Sequence, residues 1–172
     1  MGADELSRWR DALLVDKDDV LIGAARRWLG PVRTPFNKHE LVERLEAFLR
    51  RPTTLEAMIG LLDRADRRIL AFCIYGDAGG GLPTRLLARL AADDAAFEPA
   101  ALDRIRNLRE RLVLYALPPH REGERVALAP PLWEWLADEI EPADALSTVL
   151  PAAAPSAPDP FVGFCALMSA CA

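Results

Sequence analysis

Histidine is nearly absent from this chain: His39 and His120 are the only two in 172 residues. Neither has a cysteine companion at ligand spacing, which excludes zinc centres built on the two residue types. Cysteine is almost as scarce. Cys73, Cys165 and Cys171 are an odd number with no CxxC pair, so they read as reduced core residues of an intracellular protein and not as a disulfide frame. No apolar run approaches the ~20 residues that span a bilayer. Met1–Asp19 is charged throughout and has no apolar stretch of the kind a signal peptide needs. The expectation is a cytoplasmic protein with no membrane, metal or cofactor. Catalytic motifs are missing too. Gly76–Gly81 (GDAGGG) lacks the Gly-Lys-Ser/Thr of a P-loop and follows no strand. His39-Glu40 lacks the second histidine of a zinc-protease helix, and the four serines sit in no nucleophile elbow. The chain is therefore expected not to be an enzyme.

Positive charge is in deficit as well. The net charge of −5 argues against strong nonspecific nucleic-acid binding, which depends on Lys and Arg neutralising phosphates. Apolar residues make up 51% of the chain, enough to exclude a disordered protein, and the Ala-, Leu- and Arg-rich composition favours helix.

Apolar spacing predicts helices over Leu6–Leu14 and Val20–Leu29, the second closed by Gly30-Pro31. Pro31–Phe36 is an extended connection, because Pro35 pushes Thr34 out of the helical region. Asn37 to Glu40 reads as a capping box opening a helix with Leu41, Val42, Leu45, Phe48 and Leu49 inside. Thr53-Thr54-Leu55-Glu56 reads as a second capping box, and Asp63 as the cap of a helix that buries Ile69, Leu70, Cys73 and Ile74.

The chain is organised around Asp63–Pro131. A helix to Tyr75 is followed by a glycine break, a helix over Leu82–Ala92 with Pro83 in its first turn, and a helix over Ala100–Arg111. That third helix is expected to bury Leu102, Ile105, Leu108 and Leu112. Two short apolar runs, LVLYAL and RVALAP, flank a polar loop and predict a hairpin. Three helices and a hairpin are the order of a winged helix-turn-helix. The expected fold is mainly α with a small β-hairpin: a helical N-terminal segment plus a winged helix-turn-helix. The expected divisions are 1–52 for the helical segment, 53–142 for the winged helix, 143–160 for a Pro/Ala-rich linker and 161–172 for a tail. The apolar end reads as the start of a further element, so a longer polypeptide is expected.

Two groups of basic residues are candidates for nucleic acid. In a winged helix-turn-helix the third helix enters the major groove. Here it carries Arg104, Arg106, Asn107, Arg109 and Arg111, types that contact phosphates and base edges. Glu98, Asp103 and Glu110 lie in the same helix, and Arg at such spacing from acids is also the pattern of a salt-bridged, solvated face. The second group lies in Lys17–Arg51, where eight basic residues face five acids. Arg26, Arg27, Arg33 and Lys38 cluster there around a turn and a helix start, a physical phosphate site. The hairpin loop Pro118–Glu124 and the acids after Val113 make a poor phosphate surface. That acidic surface, with Trp133 and Trp135, suits a protein partner instead. The two tryptophans point to different sides of one helix, so one belongs to the core and the other is free.

The second-helix pattern Lys38, Glu40, Leu41, Val42, Arg44 and Leu45, after LGPVRTPFNK, resembles a SAP-type helix-extended-helix. The run LDRADRRIL, LPTRLLARL, LRERLVLYAL and LAPPLWEWL resembles the winged-helix modules beside bacterial helicases of the XPB type. Both resemblances imply nucleic-acid binding, or docking beside a helicase or transcription machinery. The partner implied is duplex DNA; the alternative is a protein, met by a winged helix that does not bind DNA.

Overall fold

The computed structural model of the chain describes residues 3–33, 35–76, 81–92, 98–120 and 123–146. The architecture is mainly α with a small β region, as the sequence predicts. Helices α1 (Ala3–Val15), α2 (Asp18–Leu29), α3 (Lys38–Leu49) and α4 (Pro52–Gly60) come first. Helix α5 (Arg64–Tyr75), strand β1 (Leu82–Pro83), α6 (Thr84–Ala91) and α7 (Glu98–Glu110) follow. Strands β2 (Leu114–His120) and β3 (Gly123–Leu128), a 3-10 turn at Pro130–Leu132, α8 (Trp133–Glu139) and α9 (Pro142–Leu146) complete the order.

Local chemistry accounts for most of these boundaries. Asn37 caps α3 by accepting from the His39 N–H, and Asp63 caps α5 by accepting from the Asp66 N–H, each removing an orphan helix donor. The second expected capping box does not form. Arg51 occupies the cap of α4 without a side-chain bond and Pro52 opens the helix, leaving Thr54 buried inside its first turn. Proline's fixed φ already suits that position and makes a threonine cap unnecessary.

The expected helix over Leu82–Ala92 also needs correction. Leu82 and Pro83 form a third, antiparallel strand, pairing with Val126 and Arg125 of β3, and the helix starts at Thr84. Proline has no N–H to give a ladder, so it is tolerated on this short edge strand. The sheet order is β1-β3-β2. Gly81 makes the approach possible: at φ +70°, a Cβ there would sit 2.8 Å from the Val126 carbonyl oxygen and collide with Leu117.

At its other end, α7 closes on Leu112 at φ +59°. The Val113 N–H bonds the Leu108 carbonyl and the Leu112 N–H bonds that of Arg109, both at 2.9 Å. This is the left-handed helix stop that usually takes glycine; burial of the Leu112 side chain offsets the backbone strain. The stripe inside α7 is Ala101, Ile105 and Leu108, with Leu102 only half-buried.

One buried cluster runs through the whole described fold, from Trp9, Leu21 and Leu45 to Ile69, Ile105, Leu114 and Leu132. Helix α1 packs on β2, α3 and the 3-10 turn, so the N-terminal helices share a core with the helix-and-sheet unit. Helix α5 fastens the end of α8: the Tyr75 hydroxyl donates to the Ile140 carbonyl at 2.7 Å and Arg67 to the Glu139 carbonyl at 3.2 Å. Residues 143–146, placed in the linker by composition, belong to α9, which packs on α5. The rest of the expected linker, the tail, Cys165 and Cys171 lie outside the described residues.

Candidate functional site

The arginines of α7 are spoken for. Arg104 Nη1 lies 2.5 Å from Asp63 Oδ2 and 3.3 Å from Asp66 Oδ1, so α7 is tied to the start of α5. Arg106 pairs with Asp103 one turn back at 2.7 Å, and Arg109 reaches Glu124 on β3 at 2.6 Å. Arg111, just past the helix, lies 3.7 Å from Asp66 Oδ2. Asn107 is exposed. Burial lifts the Asp66 carboxyl above its ordinary range, Asp63 beside it adds to the rise, and Arg104 opposes it. Burial pushes Asp63 the same way, but the Asp66 N–H and Arg104 both bond its charged form and leave it below the usual range. One network thus serves as helix cap, helix-to-helix tie and charge sink.

The N-terminal group divides. Arg27 donates to the Glu110 carbonyl at 2.7 Å and to its carboxylate at 3.3 Å, latching α2 onto the end of α7. Lys38 turns inward: its Nζ donates to the Asp16 and Leu14 carbonyls at 2.9 and 3.3 Å and pairs with Asp18 at 2.7 Å. Arg26 and Arg33 are exposed and have no carboxylate partner among the described residues. Arg33 shares a polar cleft of about 370 Å³ with Arg44 at the start of α3. Glu46, on the buried side of α3, takes Arg10 at 2.8 Å and Arg50 at 3.1 Å, tying α1 to α3.

Members of both expected groups meet in a larger cleft of about 510 Å³ between α1–α2 and α7–β2. Arg27, Arg106 and Arg109 line it with Asp16, Val20 and Tyr115. Burial raises the Asp16 pKa above the ordinary carboxylate value, while Arg109 and Lys38 pull it down. The carboxylates beside these arginines leave the cleft no excess of positive charge for an anion. Nor does it hold a nucleophile with an adjacent base.

Other residues stand free. Arg85 and Arg89 on α6 are exposed without a carboxylate partner among the described residues, and Leu86 and Leu90 are exposed beside them. Their four-residue spacing was the available signal. Trp135 on α8 is 42% exposed and Trp133 is half-buried, so the pair divides as expected. Arg121 and Glu122 of the hairpin loop lie outside the described residues.

Among the described residues there is no group of three or more His, Cys, Asp or Glu placed to hold a metal ion, and no helix long and apolar enough to cross a membrane. No curated protein and no solved structure matches the chain. A family model, TP_0021_N, described as an N-terminal domain, matches residues 1–50, the stretch that holds α1, α2 and α3.

Proposed function

We propose that the chain is a non-enzymatic winged-helix module, of the helicase- or transcription-associated kind its sequence resembles, and that it docks a protein instead of reading duplex DNA. The order α5, β1, α6, α7, β2, β3 fits a winged helix, with α7 in the place of the groove-reading helix. One observation carries the choice of partner: Arg104, Arg106, Arg109 and Arg111 all lie within ion-pair distance of an Asp or Glu of the same chain. A DNA-reading helix offers such groups to phosphates and base edges. Here each guanidinium would first have to leave a carboxylate. A protein partner needs an exposed aromatic or apolar anchor, and Trp135 supplies one.

The test is binding of the full chain to labelled duplex and single-stranded DNA across a salt series. No binding at low salt is the expected result. Micromolar affinity with a steep salt slope would overturn the assignment.

A second reading, duplex DNA held by the N-terminal helices, is favoured by Arg26, Arg33 and Arg44, which are exposed and have no carboxylate partner among the described residues. In that case the same series shows binding, and Arg26→Glu with Arg33→Glu removes it.

A further inference from the structure

Two exposed helix faces carry the same spacing with opposite charge. On α6, Arg85 and Arg89 form one row, and Leu86 and Leu90, 44% and 40% exposed, form the next. On α8, Glu134 and Asp138 form one row, and Trp135 lies beside it with Glu139. In both helices the charges are one turn apart, about 6 Å along the surface. Among the described residues, Arg85 and Arg89 have no carboxylate partner and Glu134 and Asp138 have no cation. This contrasts with α7, whose arginines are all neutralised within the fold. The opposite faces of the two helices are anchored in the core, α6 through Leu87 and Ala88 and α8 through Leu136. The exposed rows are thus held in place.

We infer that a second copy of this chain docks here, α6 of one molecule against α8 of the other. Arg85 and Arg89 face Glu134 and Asp138, and Trp135 covers Leu86 and Leu90. The inference names a partner for the docking module proposed above and rests on that reading. Charge complementarity selects the occupant, because both halves of a matched contact, equal in spacing and opposite in sign, stand on one chain. Trp135 is the residue type that anchors small interfaces. Helices of 8 and 7 residues bury little area, so the association is weak and depends on concentration. The contact joins unlike faces; it is heterologous and grows past a pair unless its rotation closes a ring.

Sedimentation equilibrium of the full chain, from micromolar to millimolar concentration at low and high salt, tests this. At low salt the weight-average mass should rise with concentration, and high salt should return it toward the monomer. R85E/R89E alone and E134R/D138R alone should each stay monomeric, since each then meets itself with like charge. Mixing the two should restore association, because α6 of each variant then meets an α8 of opposite charge on the other. W135A should weaken self-association by roughly tenfold or more. All these side chains are exposed, and circular dichroism reports whether each variant is folded. A wild-type chain that stays monomeric throughout, an R85E/R89E chain that associates like wild type, or a mixture that stays monomeric would each overturn the inference. The DNA series reads the proposed function separately. A monomer that ignores DNA sinks the pairing alone, whereas a chain that pairs and also binds duplex DNA sinks the function alone.

Discussion

Arg109 on α7 lies 2.6 Å from Glu124 on β3, so the helix and the hairpin neutralise each other across the fold. The same economy recurs at Asp63, which caps α5 through the Asp66 N–H at 2.9 Å and also receives Arg104 from α7. Asp63 and Glu124, which join α7 to its neighbours, thus also mask part of its basic face. Fold stability and the absence of free positive charge on α7 therefore have a common origin.

That masking can be undone without touching the helix caps. Asp103→Asn with Glu124→Gln removes the acidic partners of Arg106 and Arg109 and keeps the size of both side chains. The pairs are largely exposed, so the cost in stability should be well under about 1 kcal/mol. Fluorescence anisotropy should show weak, salt-sensitive duplex binding, against the silence expected of the wild-type chain. A double variant that binds no better than wild type would mean that these ion pairs do not decide whether α7 meets DNA.

Gly81 and Gly123 separate two costs of replacing glycine. Both have positive φ, +70° and +101°. A Cβ on Gly123 enters open space, whereas one on Gly81 meets the Val126 carbonyl and Leu117. Gly123→Ala should cost roughly 1 kcal/mol from the backbone alone. Gly81→Ala should cost more, about 2–4 kcal/mol, and should pull β1 away from β3. Denaturant unfolding of both variants measures the difference, and equal midpoints would mean that β1 contributes little to the fold.

What could be read from sequence was local, and what could not was long-range. The caps at Asn37 and Asp63 and the buried stripe Ile69, Leu70, Cys73, Ile74 depend on neighbours within a turn or two, and all of them form. Strand β1 has only two residues and no periodicity of its own; it exists because β3 lies beside it. Lys38 sits at a helix start beside basic residues, which locally resembles a phosphate site. Its actual partners, the carbonyls of Leu14 and Asp16, arrive from more than twenty residues away. Likewise Arg27 and Glu110 are 83 residues apart and Arg104 and Asp63 are 41 apart, separations at which charge counting along one helix says nothing.

Glu46 offers a test of how firmly the N-terminal helices are held. Its carboxylate is mostly buried and takes Arg10 from α1 and Arg50 from its own helix, both of which remain nearly half exposed. Glu46→Gln keeps the shape and one acceptor but loses the charge. The exposed arginines regain water, so the loss should be about 1 kcal/mol, less than for a fully buried pair. Hydrogen exchange should show it as faster opening of α1 with little change in α5. A uniform change over the whole chain would mean that α1 does not open separately from the rest of the core.

Asp16 has opposing influences whose balance fixes a pH dependence. Burial in the cleft disfavours its charge, Arg109 and Lys38 favour it, and the net effect is a pKa raised above the ordinary value of about 3.9. The folded state therefore holds the proton more tightly than the unfolded chain does. The resulting stabilisation is fully present below about pH 3.9 and is lost as pH rises through the raised value. Asp16→Asn removes the charge at every pH. It should raise the thermal midpoint at pH 7 by roughly 1–2 °C, allowing for solvent screening of a half-buried group. The gain should vanish in acid, where wild type is itself neutral at this position. Lys38 bonds the Asp16 backbone carbonyl, which the substitution leaves in place. If Asp16→Asn instead lowered the midpoint at pH 7, attraction to Arg109 and Lys38 would outweigh burial, and the cleft would be a place where a carboxylate is wanted.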